Sequence, residues 1–349
     1  MTFNVVLCGC GAMAKGWLHA LQSKPELADM LRVVGLVDLD PAVAERLVAE
    51  FNLGAVVVGA DLLAVLDETR ADVVFDVVIP AARHSVVRKA LSHGCHVLSE
   101  KPMGVSLEEA QDLVRAAAAA GKVHAVVQNR RFISGVRRMR RIVEEGAIGE
   151  ITAIHCDFFI APHFGGFREQ MDNVLLLDMA IHTFDAARFV SSKVPQSVYC
   201  VETNPKGSWY AHGASANAIF RFSDDVIFTY RGSWCAEGER TSWESEWRIV
   251  GTRGMLTWDG EDRFKASVAG LEPGLLRGFS PVEVPPPLCD EETYGHASVL
   301  SDFVAALTSA RSPETEGRDN IKSLAMVFGA IESAKSGKPV ALAVEGSEI

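Results

Sequence analysis

Two hydrophobic periodicities divide the chain. Up to about residue 129, short continuous apolar runs alternate with stretches whose apolar residues recur every three or four positions. The runs "NVVLCG", "RVVGLVD", "AVVVG", "ADVVFDVVIP", "CHVLSEKP" and "KVHAVVQN" show no polar alternation, which predicts strands of a parallel sheet covered on both faces. The segments between them, such as "DPAVAERLVAEFNL", "HSVVRKALSHG" and "SLEEAQDLVRAAAAAG", carry helical spacing. Asp40 and Pro41 supply a cap and a first helical residue for one of these, and Ser106 with Glu109 forms a capping box for another. Strands and helices alternating at this length predict right-handed βαβ units.

Beyond Asn129 the texture changes. A helix is expected near Val136–Glu145, followed by longer strands of period two: "EITAIHCDFFIAP", "QSVYCVETN", "SANAIFRF", "VIFTYRGSW", "WESEWRIVG" and "GMLTWDG". Such alternation predicts an antiparallel sheet with one face packed and the other open. Leu271 to Asp290 is rich in Pro and Gly and reads as loop, and helices near Gly295–Ala310 and Asn320–Ser336 close the chain. The expected fold is α/β: a doubly wound parallel sheet over residues 1–122, then an α+β domain with an open, largely antiparallel sheet over 123–349.

Composition narrows the classes of function. The 349 residues are 48% hydrophobic and carry a net charge of −11, which disfavours nucleic acid and anionic membranes as partners. The basic cluster Arg130 to Arg141 reads as the solvated face of a helix. The seven cysteines (Cys8, Cys10, Cys95, Cys156, Cys200, Cys235, Cys289) form no C-x-x-C pair and suggest reduced thiols. With no apolar run near the ~20 residues of a membrane span and no leader-like start, a soluble cytoplasmic protein is expected.

Chemistry concentrates at three places. Gly9-Cys10-Gly11-Ala12-Met13-Ala14 is a G-x-G-x-x-A turn between the first strand and the first helix, a setting that suits a dinucleotide pyrophosphate. Asp38 ends the second strand, where a carboxylate accepts hydrogen bonds from ribose hydroxyls and repels a 2′-phosphate. Leu39 and Asp40 follow it with no adjacent cation, so NAD is favoured over NADP. The third place is "HVLSEKP", which delivers Glu100 and Lys101 to the carboxyl edge of the sheet, where ligands bind. Pro102 holds Lys101 extended.

Asp178 and His182 stand four apart in an expected amphipathic helix, Leu177 to Asp185, and would share a face. That spacing is open to three readings: a general acid–base pair, two metal ligands lacking a recognisable third, or a surface pair. No metal is expected. His163, Phe167 and Arg168, on the Gly-flexible segment Pro162 to Asp172, could line a polar ligand pocket or form a contact loop.

Together these elements resemble the Gfo/Idh/MocA family of NAD(P)-dependent sugar and polyol oxidoreductases, over essentially the whole chain. The resemblance rests on Gly9–Ala14, "GCHVLSEKPM", "LLLDMAIHTFD" and the tail "SGKPV". It implies a Rossmann domain followed by a substrate domain, and a hydroxyl of a sugar or polyol as the point of attack. It implies that Lys101 contacts the substrate hydroxyl, that His182 is the acid–base residue with Asp178 as its helper, and that Glu100 contacts the cofactor. Pro80 and His84 match the family's Pro-x-x-x-His segment beside the nicotinamide. Counting back from Gly94 instead puts Arg83 at the equivalent position. Two departures concern the Asp-x-x-x-His motif: Ala180 replaces its glycine, and Asp172-Asn173 replaces the Gly-rich approach. Alternatives of other classes are a non-catalytic sugar sensor and an NAD-dependent glycoside hydrolase. A homodimer or homotetramer packed through the second sheet is expected.

Overall fold

A computed structural model describes residues 2–288 and 295–342. The elements run β1 (Phe3–Cys8), α1 (Ala12–Ser23), α2 (Pro25–Met30), β2 (Leu31–Val37), α3 (Pro41–Phe51), β3 (Val57–Gly59), α4 (Leu62–Thr69), β4 (Val73–Asp76), α5 (Pro80–Ser92), β5 (His96–Ser99), α6 (Leu107–Ala120) and β6 (His124–Val126). Then follow α7 (Ser134–Glu144), β7 (Ile151–Phe159), a π-helical turn (Leu175–Ala180), α8 (Ile181–Ser191), β8 (Pro195–Thr203), β9 (Ser215–Phe222), β10 (Ile227–Ser233), β11 (Glu246–Gly251), β12 (Gly254–Trp258), β13 (Phe264–Ala269) and β14 (Phe279–Val282). Helices α9 (His296–Ser309) and α10 (Gly317–Ser336) and the short β15 (Val340–Ala341) complete the order. Contacts divide the described residues into two units, 2–129 with 295–321, and 130–288 with 322–342.

The first unit is the expected doubly wound sheet, six parallel strands in the order β3-β2-β1-β4-β5-β6. β4 and β6 are buried throughout and β5 is buried beyond its first residue, His96, as their unbroken apolar runs require. The anticipated caps form. Asp40 accepts from the Ala42 amide, while Ser106 accepts from Glu109 and the Glu109 carboxylate reaches back to the Val105 amide. Strand order reverses between β1 and β4, so the crevice that doubly wound sheets use for ligands lies beyond Cys8 and Asp76.

In the second unit nine strands follow the order β14-β13-β12-β11-β7-β10-β9-β8-β15, antiparallel except for the β7–β10 pair. β9 alternates buried and exposed residues, as its period-two sequence predicts. Phe184 of α8 meets Phe220 at 4.8 Å and Tyr230 at 5.2 Å, both edge-on, and this seats the helix on the packed face. On α7, a Cβ at Gly135 would fall 2.0 Å from the Trp258 ring, so only glycine lets this helix come so close.

The basic cluster Arg130–Arg141, which spans a 3-10 turn and α7, departs from expectation, because it is not a purely solvated face. Arg131 is buried against Asp185 through two bonds of 2.6 and 2.7 Å. The guanidinium groups of Arg137 and Arg140 lie over the Phe189 ring, and that of Arg138 over Phe264. Arginine's flat, weakly hydrated head makes such stacking favourable. Cys8, Cys10, Cys95, Cys156, Cys200 and Cys235 are free thiols, and Cys289 lies outside the described residues. Among the described residues no helix is long and apolar enough to cross a membrane.

His124 is fully buried on β6, and burial holds its imidazole down at about 3. The unfolded chain then binds a proton below about pH 6.5 that the folded chain refuses, so this residue removes stability as pH falls from 6.5 toward 3. We expect the stability of His124→Gln to fall less steeply between pH 6.5 and 4.5 by up to about 1.4 kcal/mol per pH unit, read from urea unfolding at each pH.

Candidate active site

The carboxyl edge of the parallel sheet gathers the first set of candidates. Gly9 follows β1 with φ +95°, a conformation that disfavours side chains, and a Cβ there would lie 2.7 Å from the Val77 and Val78 backbone. Gly11 differs: it is exposed, and a Cβ there would meet nothing within 4 Å. The chain itself does not require glycine at position 11. The open space lies at the N-terminus of α1, whose first turn holds no acidic side chain and whose cap residue offers no side-chain acceptor. Unsatisfied amides and the positive end of the helix dipole therefore face this space, a good fit to a pyrophosphate. Ala12 and Met13 are exposed on that turn, and Ala14 is packed beneath it.

Asp38 braces the same loop. Its Oδ2 accepts from the Cys10 amide at 2.8 Å and its Oδ1 from the Asp40 amide at 3.1 Å. Burial pushes the Cys10 thiol up to about 12, with the Asp38 charge adding to the shift, so this cysteine is inert filling rather than a nucleophile.

Glu100 and Lys101 follow β5 at the same edge, and the Lys101–Pro102 peptide is cis. The Glu100 carboxylate is buried. Its Oε1 accepts from Trp17 Nε1 at 2.8 Å and pairs with His296 Nε2 at 2.7 Å, while Oε2 accepts from the Lys101 amide at 3.2 Å. Burial alone would raise its pKa, but the hydrogen bonds and charges of its partners win and hold it below the ordinary range. Glu100 thus ties α1, α9 and the Lys101 turn together.

The two residues that competed for one position separate clearly. The His84 ring pairs with Asp112 of α6 at 2.8 Å. Arg83, 1% exposed, bonds Asp76 at 2.8 Å and donates to the carbonyls of Val78 and Pro102. Burial raises the Asp76 carboxyl, and the Arg83 guanidinium pulls it back. Pro80 opens α5 at its first position. Asp76 escaped the sequence reading, although a lone acid inside "VVFDVV" was a visible signal. Trp17 and His296 escaped it too, as their partner stands 83 and 196 residues away.

The second unit holds the other candidates. Asp178 and His182 do not share one regular α-helix: Asp178 sits in the π-helical turn, and α8 begins only at Ile181. Nor is α8 amphipathic, since its residues are buried all round except His182. The approach is anchored by Asn173, which takes the left-handed conformation at φ +51° that a glycine would adopt easily, and whose amide bonds Glu202. This accounts for the missing Gly-rich stretch. Arg168 Nε bonds Asp178 Oδ2 at 2.8 Å and its guanidinium lies 5.0 Å from the centroids of both Phe164 and Phe167. His163 stacks on Trp209 at 3.8 Å and pairs with Glu237 at 2.9 Å. Beneath α8, Asp185 takes Arg131 and the Ser323 hydroxyl, a buried network that "IHTFDAARF" hinted at by placing an acid among apolar residues.

Comparison with known proteins adds to this geometry. Residues 3–128 match a family model described as an oxidoreductase family with an NAD-binding Rossmann fold, and residues 136–257 match the GFO/IDH/MocA C-terminal domain. The chain belongs to the Gfo/Idh/MocA oxidoreductase family. Its first domain is accordingly an NAD-binding Rossmann domain. It is 27% identical to the D-apiose dehydrogenase of Paraburkholderia graminis over 353 residues, 97% of this chain and 90% of that one. It is 27% identical to the 1,5-anhydro-D-fructose reductase of Ensifer adhaerens over 254 residues, 71% of this chain and 73% of that one. An Agrobacterium radiobacter oxidoreductase, solved with NAD+, L-tartaric acid and magnesium, shares the fold with a TM-score of 0.83 at 22% identity, covering 98% of this chain and 99% of that one.

Glu100→Ala would leave the buried Trp17 Nε1 and the half-buried His296 without their acceptor. We expect a loss of about 3 kcal/mol in urea unfolding, and a smaller loss for Glu100→Gln, which keeps an accepting oxygen.

Proposed function

We propose that this family member is an NAD-dependent dehydrogenase acting on a hydroxyl of a sugar or polyol. The observation that carries the reading is the anchoring of Lys101. Its turn is fixed by a buried carboxylate at the sheet edge that also carries the Gly9–Ala14 loop. Relatives named for D-apiose and 1,5-anhydro-D-fructose support the substrate class.

NAD, when bound, supplies the hydride acceptor. Gly9, Gly11 and the first amides of α1 would hold its pyrophosphate, and Asp38 its adenosine ribose, where a carboxylate disfavours the 2′-phosphate of NADP. Pro80 and His84 would stand nearest the nicotinamide, since the Arg83 guanidinium is committed to Asp76, Val78 and Pro102. In the proposed reaction His182 removes the hydroxyl proton as the carbon gives up its hydride. Lys101 holds the oxygen, and its ammonium stabilises the charge that develops there. Asp178 orients the imidazole, and Arg168, bonded to Asp178, holds that carboxylate in place. His163 and Arg168 would border the substrate. Tyr199 and Ile219, paired across β8 and β9 and 40% and 53% exposed, support packing of a second copy on the open sheet face, which light scattering would detect as a dimer or tetramer.

Absorbance of NADH across aldoses including D-apiose, inositols and anhydrosugars tests the reading. Net NADH should accumulate with at least one of them, whereas a glycoside hydrolase would release product without it and a sensor would bind without turnover. Lys101→Ala should lose roughly 10²–10³-fold in turnover while NADH still binds by fluorescence titration, and a near-normal rate would refute the assignment. Asp38→Ser should raise the ratio of kcat/KM for NADP to that for NAD.

A further inference from the structure

Arg83 is one of the largest fully buried side chains, and the proposed chemistry gives it no direct task. It lies on the first turns of α5, and its guanidinium joins three separate segments. Nε donates to Asp76 Oδ2 at the end of β4, Nη2 to the Val78 carbonyl at 2.7 Å in the following loop, and Nη1 to the Pro102 carbonyl beyond β5. Asp76 is itself 0% exposed and consumed by structure: it accepts from Arg83 and from the Val78 amide, bonds the Ser99 hydroxyl, and its main-chain oxygen receives the Glu100 amide. A buried ion pair costs desolvation, and it persists where its geometry and extra hydrogen bonds offset that cost.

The bonds converge on one residue. On its N-terminal side, the Lys101 amide is held by the Glu100 carboxylate. On its C-terminal side, the carbonyl of Pro102 is held by Arg83. The backbone that aims Lys101 is therefore fixed at both ends by charged, buried groups, and one of them is the Asp76–Arg83 pair. We propose that Arg83, charge-balanced by Asp76, is a positioning residue that sets the direction of Lys101 toward the substrate oxygen. The inference rests on the reading of Lys101 as the residue that contacts substrate. It assigns to Arg83 and Asp76 a role through Lys101, with no contact of their own to cofactor or substrate.

The planar fork matters as well as the charge. A lysine at position 83 would still neutralise Asp76, but its single ammonium cannot reproduce the fork that serves Asp76, Val78 and Pro102 together. Misplacement of a reacting group by about 1 Å costs about a hundredfold in rate.

Two full-length variants test this, Arg83→Lys and the charge-neutral double Asp76→Asn/Arg83→Gln. Both should bind NADH with wild-type affinity. With the best substrate of the hydroxyl panel, kcat should fall about a hundredfold while KM changes little. A readout that needs no substrate accompanies it: reductive methylation of Lys101, measured by peptide mass spectrometry relative to the exposed Lys15, should rise in both variants as the turn loosens. Folded variants that keep wild-type kcat and wild-type methylation of Lys101, whatever their melting temperature, would overturn the proposal. Arg83→Lys retains the buried charge pair and decides alone if the double variant does not fold. A shift in Lys101 methylation, combined with a Lys101→Ala protein that turns over normally, would leave the positioning standing and remove the catalytic reading instead.

Discussion

Six parallel strands bring their carboxyl ends to one edge of a sheet, and the first unit is organised by what that edge demands. Each strand there stops hydrogen-bonding its neighbours, so loops must replace the ladder with something else. Here the replacements are charged side chains turned inward. Asp38 braces the Gly9 loop, Asp76 and Arg83 brace the loop after β4, and Glu100 braces the turn after β5. The buried Asp76 and Glu100 carboxylates would be costly to bury alone and are matched with amides, an indole or cations that satisfy them, while the half-buried Asp38 is matched with amides. An edge that is open to ligand on one side is thus locked to the protein on the other.

That edge was legible in the sequence wherever the signal was local. Gly9–Ala14 is a short pattern between a strand and a helix, and the caps of α3 and α6 involve residues at most four apart. Local competition among a few residues is what sequence patterns record well. The partners of Glu100 come instead from α1 and α9, and nothing about Trp17 or His296 alone marks them as donors. The same limit explains α7: a run of arginines reads as a wet surface unless Phe189 and Phe264, far along the chain, are known to lie beneath it.

In the second unit the period-two strands gave away the sheet, and the Asp178–His182 spacing marked a segment whose backbone differs from a regular helix. The error lay in assuming an unbroken α-helix. An Asn in place of glycine at the approach, with its amide spent on Glu202, allows the chain to enter a wider turn that no residue pattern in "NVLLLDMAIH" specifies. Packing on every side of α8, including the Arg131–Asp185–Ser323 network, then fixes the result. A π-helical turn is uncommon, and this one ends at Ala180, directly before α8 and two residues before His182.

Such a turn also acts as a change of phase. A helix advances by about 100° per residue, so one residue more than the regular ladder can use rotates everything after it by about that angle. His182 and the buried face of α8 therefore carry a different angular offset from Asp178 than straight helical counting gives. A substitution that relaxed the turn to ordinary α geometry would leave each side chain intact and still present another face of α8 to the sheet. In this protein the relation between the two residues is stored as an angle in the backbone, and their four-residue separation alone does not encode it.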